Sequence, residues 1–171
     1  MDIEYRIAKL DDIDTLLNFY NDVIDFQQYE EYSPKWTKDI YPSFEDINNH
    51  IVNNRLYMGC INDILVCAGV LQLHDDPIYD GINFKIKNNV GVIHLLAVNK
   101  DYRGKGISKE FIRYLLSEAK PYVKAIHLDV LDGNDRACKL YETCEFKYVD
   151  TKEVFYEDTG KVSSIIYEYI Y

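Results

Sequence analysis

Gly91-Val92-Ile93-His94-Leu95-Leu96-Ala97-Val98 runs straight into Asn99-Lys100-Asp101-Tyr102-Arg103-Gly104-Lys105-Gly106-Ile107-Ser108, and this stretch decides how the chain folds. Its first half is a nearly continuous apolar run, which suits a central strand covered on both faces. A basic turn with two glycines follows. From Gly104 to Lys120 the pattern predicts a helix, with Ile107, Phe111, Tyr114 and Leu115 on one stripe and Pro121 closing it. The first amides of a helix have no internal acceptor and carry partial positive charge. Glycines let a bulky anion approach that backbone, and Arg103 and Lys105 add full charges. Strand, turn and helix together make a cradle for a diphosphate. Neither GxxxxGK nor GxGxxG is present. A plain strand-to-helix turn with surface cations would account for Gly-Lys-Gly taken alone.

Outward from this centre, Ala125 to Leu131 reads as a second buried strand, and the strand–helix–strand order implies a parallel crossover. Asn134 caps a further helix whose Ala137, Leu140, Tyr141 and Cys144 share a face. About Phe146 to Tyr156 and Val162 to Ile170 form two last strands around a turn at Asp158-Thr159-Gly160. Towards the N-terminus, Arg55 to Ile61 and Ile64 to Leu73 form a hairpin at Asn62-Asp63. Ile3 to Ile7 alternates as a short first strand. Asp11-Asp12 starts a helix with Ile13, Leu16, Leu17, Tyr20 and Ile24 on one face, and Ser43 with Asp46 caps another through about Asn53. Phe26 to Pro42 reads as a structured aromatic loop, and His74 to Asn89 as a polar, variable excursion. The fold class is a single α/β domain over residues 1–171: a mixed, twisted sheet with helices on both faces.

Composition narrows the function. The 171 residues carry 19 Lys+Arg against 29 Asp+Glu, a net charge of −10, so a nucleic-acid footprint is missing. The acidic excess can steer cationic small substrates, although it is also an ordinary route to solubility. Cys60, Cys67, Cys138 and Cys144 form no CxxC pair, and the histidines show no ligand spacing, so no metal is expected. Met1 to Arg6 has no basic and apolar leader, and no stretch approaches 18 uninterrupted apolar residues. The expectation is a chain with free thiols in a reducing cytoplasm, without membrane or nucleic-acid partners.

Val98 to Ser108 resembles motif A of the GNAT N-acetyltransferase superfamily, [QR]-x-x-G-x-[GA], with Gly104 and Gly106 as the glycines and Asp101 where Gln or Arg is usual. Asn134-Asp135-Arg136-Ala137-Cys138-Lys139-Leu140-Tyr141-Glu142-Thr143-Cys144-Glu145-Phe146 is similar to the family's N-x-x-A-x-x-x-Y-x-x-x-G-F, with Glu145 in place of Gly. The resemblance implies a mostly antiparallel sheet with a central parallel pair, and acetyl-CoA or another acyl-CoA as donor. It implies a pyrophosphate on the amides of Arg103, Gly104, Lys105, Gly106, Ile107 and Ser108. The pantetheine arm would lie beside Leu96, Ala97 and Val98, with Asn134 against the CoA arm. Tyr141 matches the family's proposed general acid for the departing thiolate, while its place on an apolar stripe also suits a core role. Many relatives of this fold form homodimers.

An attacking amine must be neutral, so a base is needed. His94 is a candidate, with a core histidine as the other reading. Glu30 and Glu31 can hold a cationic acceptor or take its proton, or can be solvated loop charges. Tyr29, Tyr32, Trp36 and Tyr41 can wall an amine site by cation–π contact, with burial of Trp36 the alternative. The expected activity is acetyl transfer to a primary amine of a small molecule by direct attack. A protein or peptide acceptor, or a non-catalytic CoA-binding sensor, is the alternative.

Overall fold

The computed structural model describes residues 2–156 and 159–171. Seven strands form one sheet: β1 (Glu4–Ile7), β2 (Leu56–Ile61), β3 (Ile64–Gln72), β4 (Val90–Val98), β5 (Ala125–Leu131), β6 (Lys147–Tyr156) and β7 (Gly160–Ile170). Their spatial order is β1-β2-β3-β4-β5-β7-β6, with β4 and β5 parallel and the other neighbours antiparallel. Four helices cover it: α1 (Ile13–Gln27), α2 (Phe44–Val52), α3 (Ile107–Ala119) and α4 (Asp135–Thr143).

Local chemistry sets several boundaries. Ser43 accepts from the Asp46 amide while the Asp46 carboxylate accepts from the Ser43 amide at 2.8 Å, so both orphan donors at the start of α2 are met. Asn62 and Asp63 take φ of 48° and 65°, the doubly left-handed turn that matches the twist of a two-residue hairpin. In the second expected turn Asp158 lies outside the described residues; β7 begins at Gly160, with Thr159 before it.

One face of the sheet packs under α3 and α4, where Phe111, Ile112, Leu115, Ile126, Leu128 and Tyr167 are buried. On the other face α1 and α2 cover the β1–β4 half, with Leu16, Tyr20, Ile47 and Leu56 inside. The 74–89 segment covers the rest of that face, and this corrects its reading as a variable excursion. Tyr79, Ile82 and Phe84 are buried against Val92 and Ile166. The buried carboxylate of Glu168 on β7 accepts from the amides of Lys85 and Ile86 at 3.2 and 2.9 Å. His127 stacks on Phe84 with ring centroids 3.5 Å apart, and burial lowers its pKa.

β4 carries the distortion that makes the site. Ala68 pairs with Ala97 and Val70 with His94, so Gly69 alone faces both Leu95 and Leu96. Leu95 takes φ of +50°, a β-bulge. Side-chain parity flips there: Ile93 and Leu96 belong to the α3 side, whereas Leu95 and Ala97 belong to the α1 side. Pairing of β4 with β5 spans only Val90–Val92 against Ala125–His127, while β5 stays paired with β7 as far as Leu131–Ser164. Past Val92 the two parallel strands part.

Candidate active site

A cleft of about 190 Å³ fills the parting of β4 and β5. Its lining draws on residues from both faces of the sheet. From the α4 side it is lined by Asn134, Ala137 and Tyr141, and from the α1 side by Trp36, His94 and Asp129, with Leu95 and Leu96 of the bulge between.

The diphosphate cradle lies at the start of α3. Gly104 and Gly106 have φ of +75° and +82°, and a Cβ built on either would meet nothing within 4 Å. The left-handed turn is therefore open above the backbone, as an anion site requires. The N-cap of α3 is Gly106, which offers no side chain, and no acceptor among the described residues meets the amides from Gly104 to Lys109. Helix α4 differs: Oδ1 of Asn134 accepts from the Ala137 amide at 3.2 Å and caps it. Asn134 thus lines the cleft with its NH₂ group left over. Ile107 is a buried anchor that contributes its main chain, and Ser108 begins the helix beside it. A diphosphate fits these residues.

The side-chain cations near the cradle are engaged within the protein. Lys105 Nζ donates to the Asp101 carbonyl at 3.1 Å and lies over the Tyr102 ring. Arg103 Nε donates to the Val98 carbonyl at 3.3 Å, and its guanidinium pairs with Glu30. Asp101, expected in the basic position of motif A, lines a separate hollow with Thr15, Asn18 and Asp22. Reading the same pattern two residues later takes Arg103 and Gly106, with Ser108 where Gly or Ala is usual, and this register puts a cation where the cradle begins.

Leu96 half-lines the cleft, while the side chains of Ala97 and Val98 are buried and leave only their main chain. The β5-facing edge of β4 has no strand partner from Ile93 to Val98. Tyr141 is buried and lines the cleft, and its hydroxyl has no hydrogen-bond partner among the described residues. Burial first, and the Asp129 charge second, push its pKa well above the ordinary tyrosine value. A six-to-one bond from the Phe146 amide to the Tyr141 carbonyl (3.1 Å) and one from Glu145 to Glu142 (3.0 Å) end α4 and fix this tyrosine.

His94 lines the cleft with Nε2 3.2 Å from Asp76 Oδ2, an ion-pair approach without the direction of a good hydrogen bond. Its ring lies parallel to Tyr79, centroids 6.5 Å apart. Held chiefly by His94 and next by the Ile78 amide, Asp76 is brought down to about 2. Trp36 lines the cleft and also packs edge-on against Tyr20. Tyr41 lines the cleft; Glu31 is exposed, and neither it nor Tyr32 or Tyr29 belongs to the lining. Glu30 sits at the cradle instead, between Arg103 and Arg136.

Sequence reasoning missed Asp129, the only carboxylate in the cleft lining among the described residues. It accepts from the hydroxyls of Tyr79 (2.8 Å) and Tyr156. Burial and this carboxylate raise the pKa of both phenols. A single charge inside the apolar run from Ala125 to Leu131 was the available signal. Ser164, buried with no hydrogen-bond partner for its Oγ among the described residues, completes this side. Among the described residues no cluster of three or more His, Cys, Asp or Glu could hold a metal, all four cysteines are free, and no helix is long and apolar enough to cross a membrane.

The fold and cleft define an acyltransferase-like domain, and comparison with known proteins agrees. The family model for the acetyltransferase (GNAT) family matches residues 19–146, and the chain belongs to that family. That family binds acetyl-CoA. The chain is 32% identical over 68 residues to the N-alpha-acetyltransferase RimI of Mycobacterium tuberculosis, a match covering 40% of this chain and 42% of that protein. Among solved structures, a GNAT-family acetyltransferase from Streptococcus agalactiae superposes with a TM-score of 0.83 at 19% identity, covering 99% of this chain and 95% of the other. Arabidopsis thaliana NAA60 in complex with acetyl-CoA gives 0.72 at 20% identity, covering 99% and 98%. The Escherichia coli ribosomal-protein-S18-alanine N-acetyltransferase gives 0.71 at 15%, covering 99% and 94%.

Proposed function

We propose that this chain transfers the acetyl group of acetyl-CoA to a primary amine by direct attack within a ternary complex. Two observations carry this reading: the amides of Gly104 to Lys109 that meet no acceptor among the described residues, and the cleft where β4 and β5 part, lined by Asn134 and Tyr141 from one face and by Asp129 and His94 from the other. Donor and acceptor can thus enter from opposite faces and meet at the bulge. The coenzyme supplies an activated thioester.

The chain's own residues do the rest. The amides at the start of α3 bind the diphosphate, and Asn134 contacts the arm. The free edge of β4 at Leu96, Ala97 and Val98 aligns the arm as an added strand, and an N–H at the bulge polarises the acyl carbonyl. Asp129 holds the incoming ammonium between Trp36 and Tyr156. His94, backed by Asp76, takes the proton the amine must shed, and Tyr141 donates one to the leaving thiolate. Positioning supplies most of the acceleration.

A peptide or protein α-amine is a second acceptor reading, favoured by the likeness to N-alpha-acetyltransferases. The test is a panel of small amines, polyamines and peptides assayed for CoA release, with Asp129→Asn alongside. Turnover of at least one amine, reduced in the variant chiefly through acceptor KM, supports the assignment. Tight CoA binding without turnover on any amine would make the domain a sensor.

A further inference from the structure

The carboxylate of Glu30 lies where the proposed coenzyme charge would have to be met. It is mostly buried, pairs with the Arg103 guanidinium, and stands 3.6 Å from Arg136. Arg103 immediately precedes the cradle at the start of α3, and Arg136 lies in the first turn of α4. Glu30 therefore neutralises cations at the N-termini of two helices, of which α4 lines the cleft through Asn134 and Ala137. Phe26 lies under this arrangement, with Lys100 and Arg103 each 5.4 Å from its ring centroid.

Glu30 also belongs to the loop that walls the acceptor side. Between α1 and α2 this loop carries Pro34, Trp36 and Tyr41 into the cleft lining. The Gln27 side chain also donates to the Trp36 carbonyl, Trp36 packs on Tyr20, and Lys38 lies 4.0 Å from Asp25. One carboxylate thus connects the cradle to the acceptor wall.

We propose that Glu30 is an internal competitor for the coenzyme's diphosphate. The diphosphate takes over the charge of Arg103 and Arg136, Glu30 is given up, and the loop bearing Trp36 shifts as the coenzyme loads. Coenzyme binding and the shape of the acceptor site are then linked, and the linkage is reciprocal. This rests on the cradle reading above.

Trp36 is the only tryptophan and so reports on the loop directly. The experiment titrates CoA into the wild-type protein, Glu30→Gln, Arg103→Gln and the double variant, following heat and Trp36 emission together. S-acetylpantetheine, which lacks the diphosphate, is the control ligand. Glu30→Gln is expected to bind CoA about three- to tenfold more tightly, as removal of a partly buried like charge predicts. The gain should vanish on the Arg103→Gln background and with S-acetylpantetheine. Emission of Glu30→Gln without ligand should already lie near the CoA-bound wild-type value. Equal or weaker CoA binding by Glu30→Gln overturns the competition, and unchanged Trp36 emission in a wild-type protein that binds CoA overturns the link to the loop. No CoA binding by the wild type removes the cradle itself, and the competition with it.

Discussion

The hydroxyl of Tyr20 donates a 2.9 Å hydrogen bond to the carbonyl of Leu95, joining the middle of α1 to the bulge of β4 in a buried setting. The bulge turns a carbonyl out of its ladder, and a buried unpaired carbonyl is costly. Tyr20 is 1% exposed and reaches that carbonyl from the face opposite α3. Tyr20→Phe should lower stability by about 1–3 kcal/mol in urea unfolding. Acetyl transfer should fall more than CoA affinity, because the bulge sets the acyl position and the cradle does not depend on it. Unchanged stability and rate would show that the bulge needs no such support.

Glu145 stands at the end of α4 with φ of +72°, in the position where glycine is most at ease. Its two flanking bonds are made despite the side chain, so the strain remains in the backbone. Glu145→Gly should raise stability by about 1 kcal/mol, with Tyr141 kept in place. A loss of stability would mean that the carboxylate contributes something the strain does not outweigh.

The Tyr141 hydroxyl makes no hydrogen bond among the described residues, so Tyr141→Phe should leave the unfolding free energy within about 0.5 kcal/mol. Its turnover should fall about 10- to 100-fold with CoA affinity unchanged. Because burial holds the phenol protonated far above neutrality, the wild-type rate should show no basic limb due to Tyr141 up to about pH 10. Equal turnover would make this tyrosine a packing residue.

His50 on α2 is held down to about 4, first by burial and next by the neighbouring His94, and its Nδ1 has no partner among the described residues. Its ordinary value is 6.5. Between these values the unfolded chain binds a proton that the folded chain refuses, so stability falls as pH drops from 6.5 to 4. One such proton gives a slope of at most about 1.4 kcal/mol per pH unit. Asp76, held below its ordinary 3.8, extends the loss as pH falls on towards 2. His50→Gln should flatten the slope between pH 4 and 6.5 in denaturant titrations, and an unaltered slope would place the linkage elsewhere.

Signals local in the chain were legible. Ser43 with Asp46, Asn62-Asp63, and Asn134 before α4 each meet their partners within three residues, and each turn or cap forms as the side chains dictate. The bulge was not legible, because Gly91 to Val98 is apolar almost throughout and a parity change leaves no trace in such a run. Nor was the cover formed by Tyr79, Ile82 and Phe84. It is pinned by Glu168 from the last strand, and nothing near residue 79 announces that. Glu30 likewise finds Arg103 and Arg136 only after α1, α3 and α4 have converged. The cradle was legible since glycines, helix start and preceding strand are contiguous. The cleft's acidic side was not, since Asp129, Tyr79 and Tyr156 come from three separate segments.

The most direct measurement is a crystal structure of this protein with coenzyme A. The account predicts diphosphate oxygens within hydrogen-bonding distance of amides between Gly104 and Lys109, and the arm running along the free edge of β4 towards Tyr141. Coenzyme found elsewhere, or failing to bind at millimolar concentration, would contradict it.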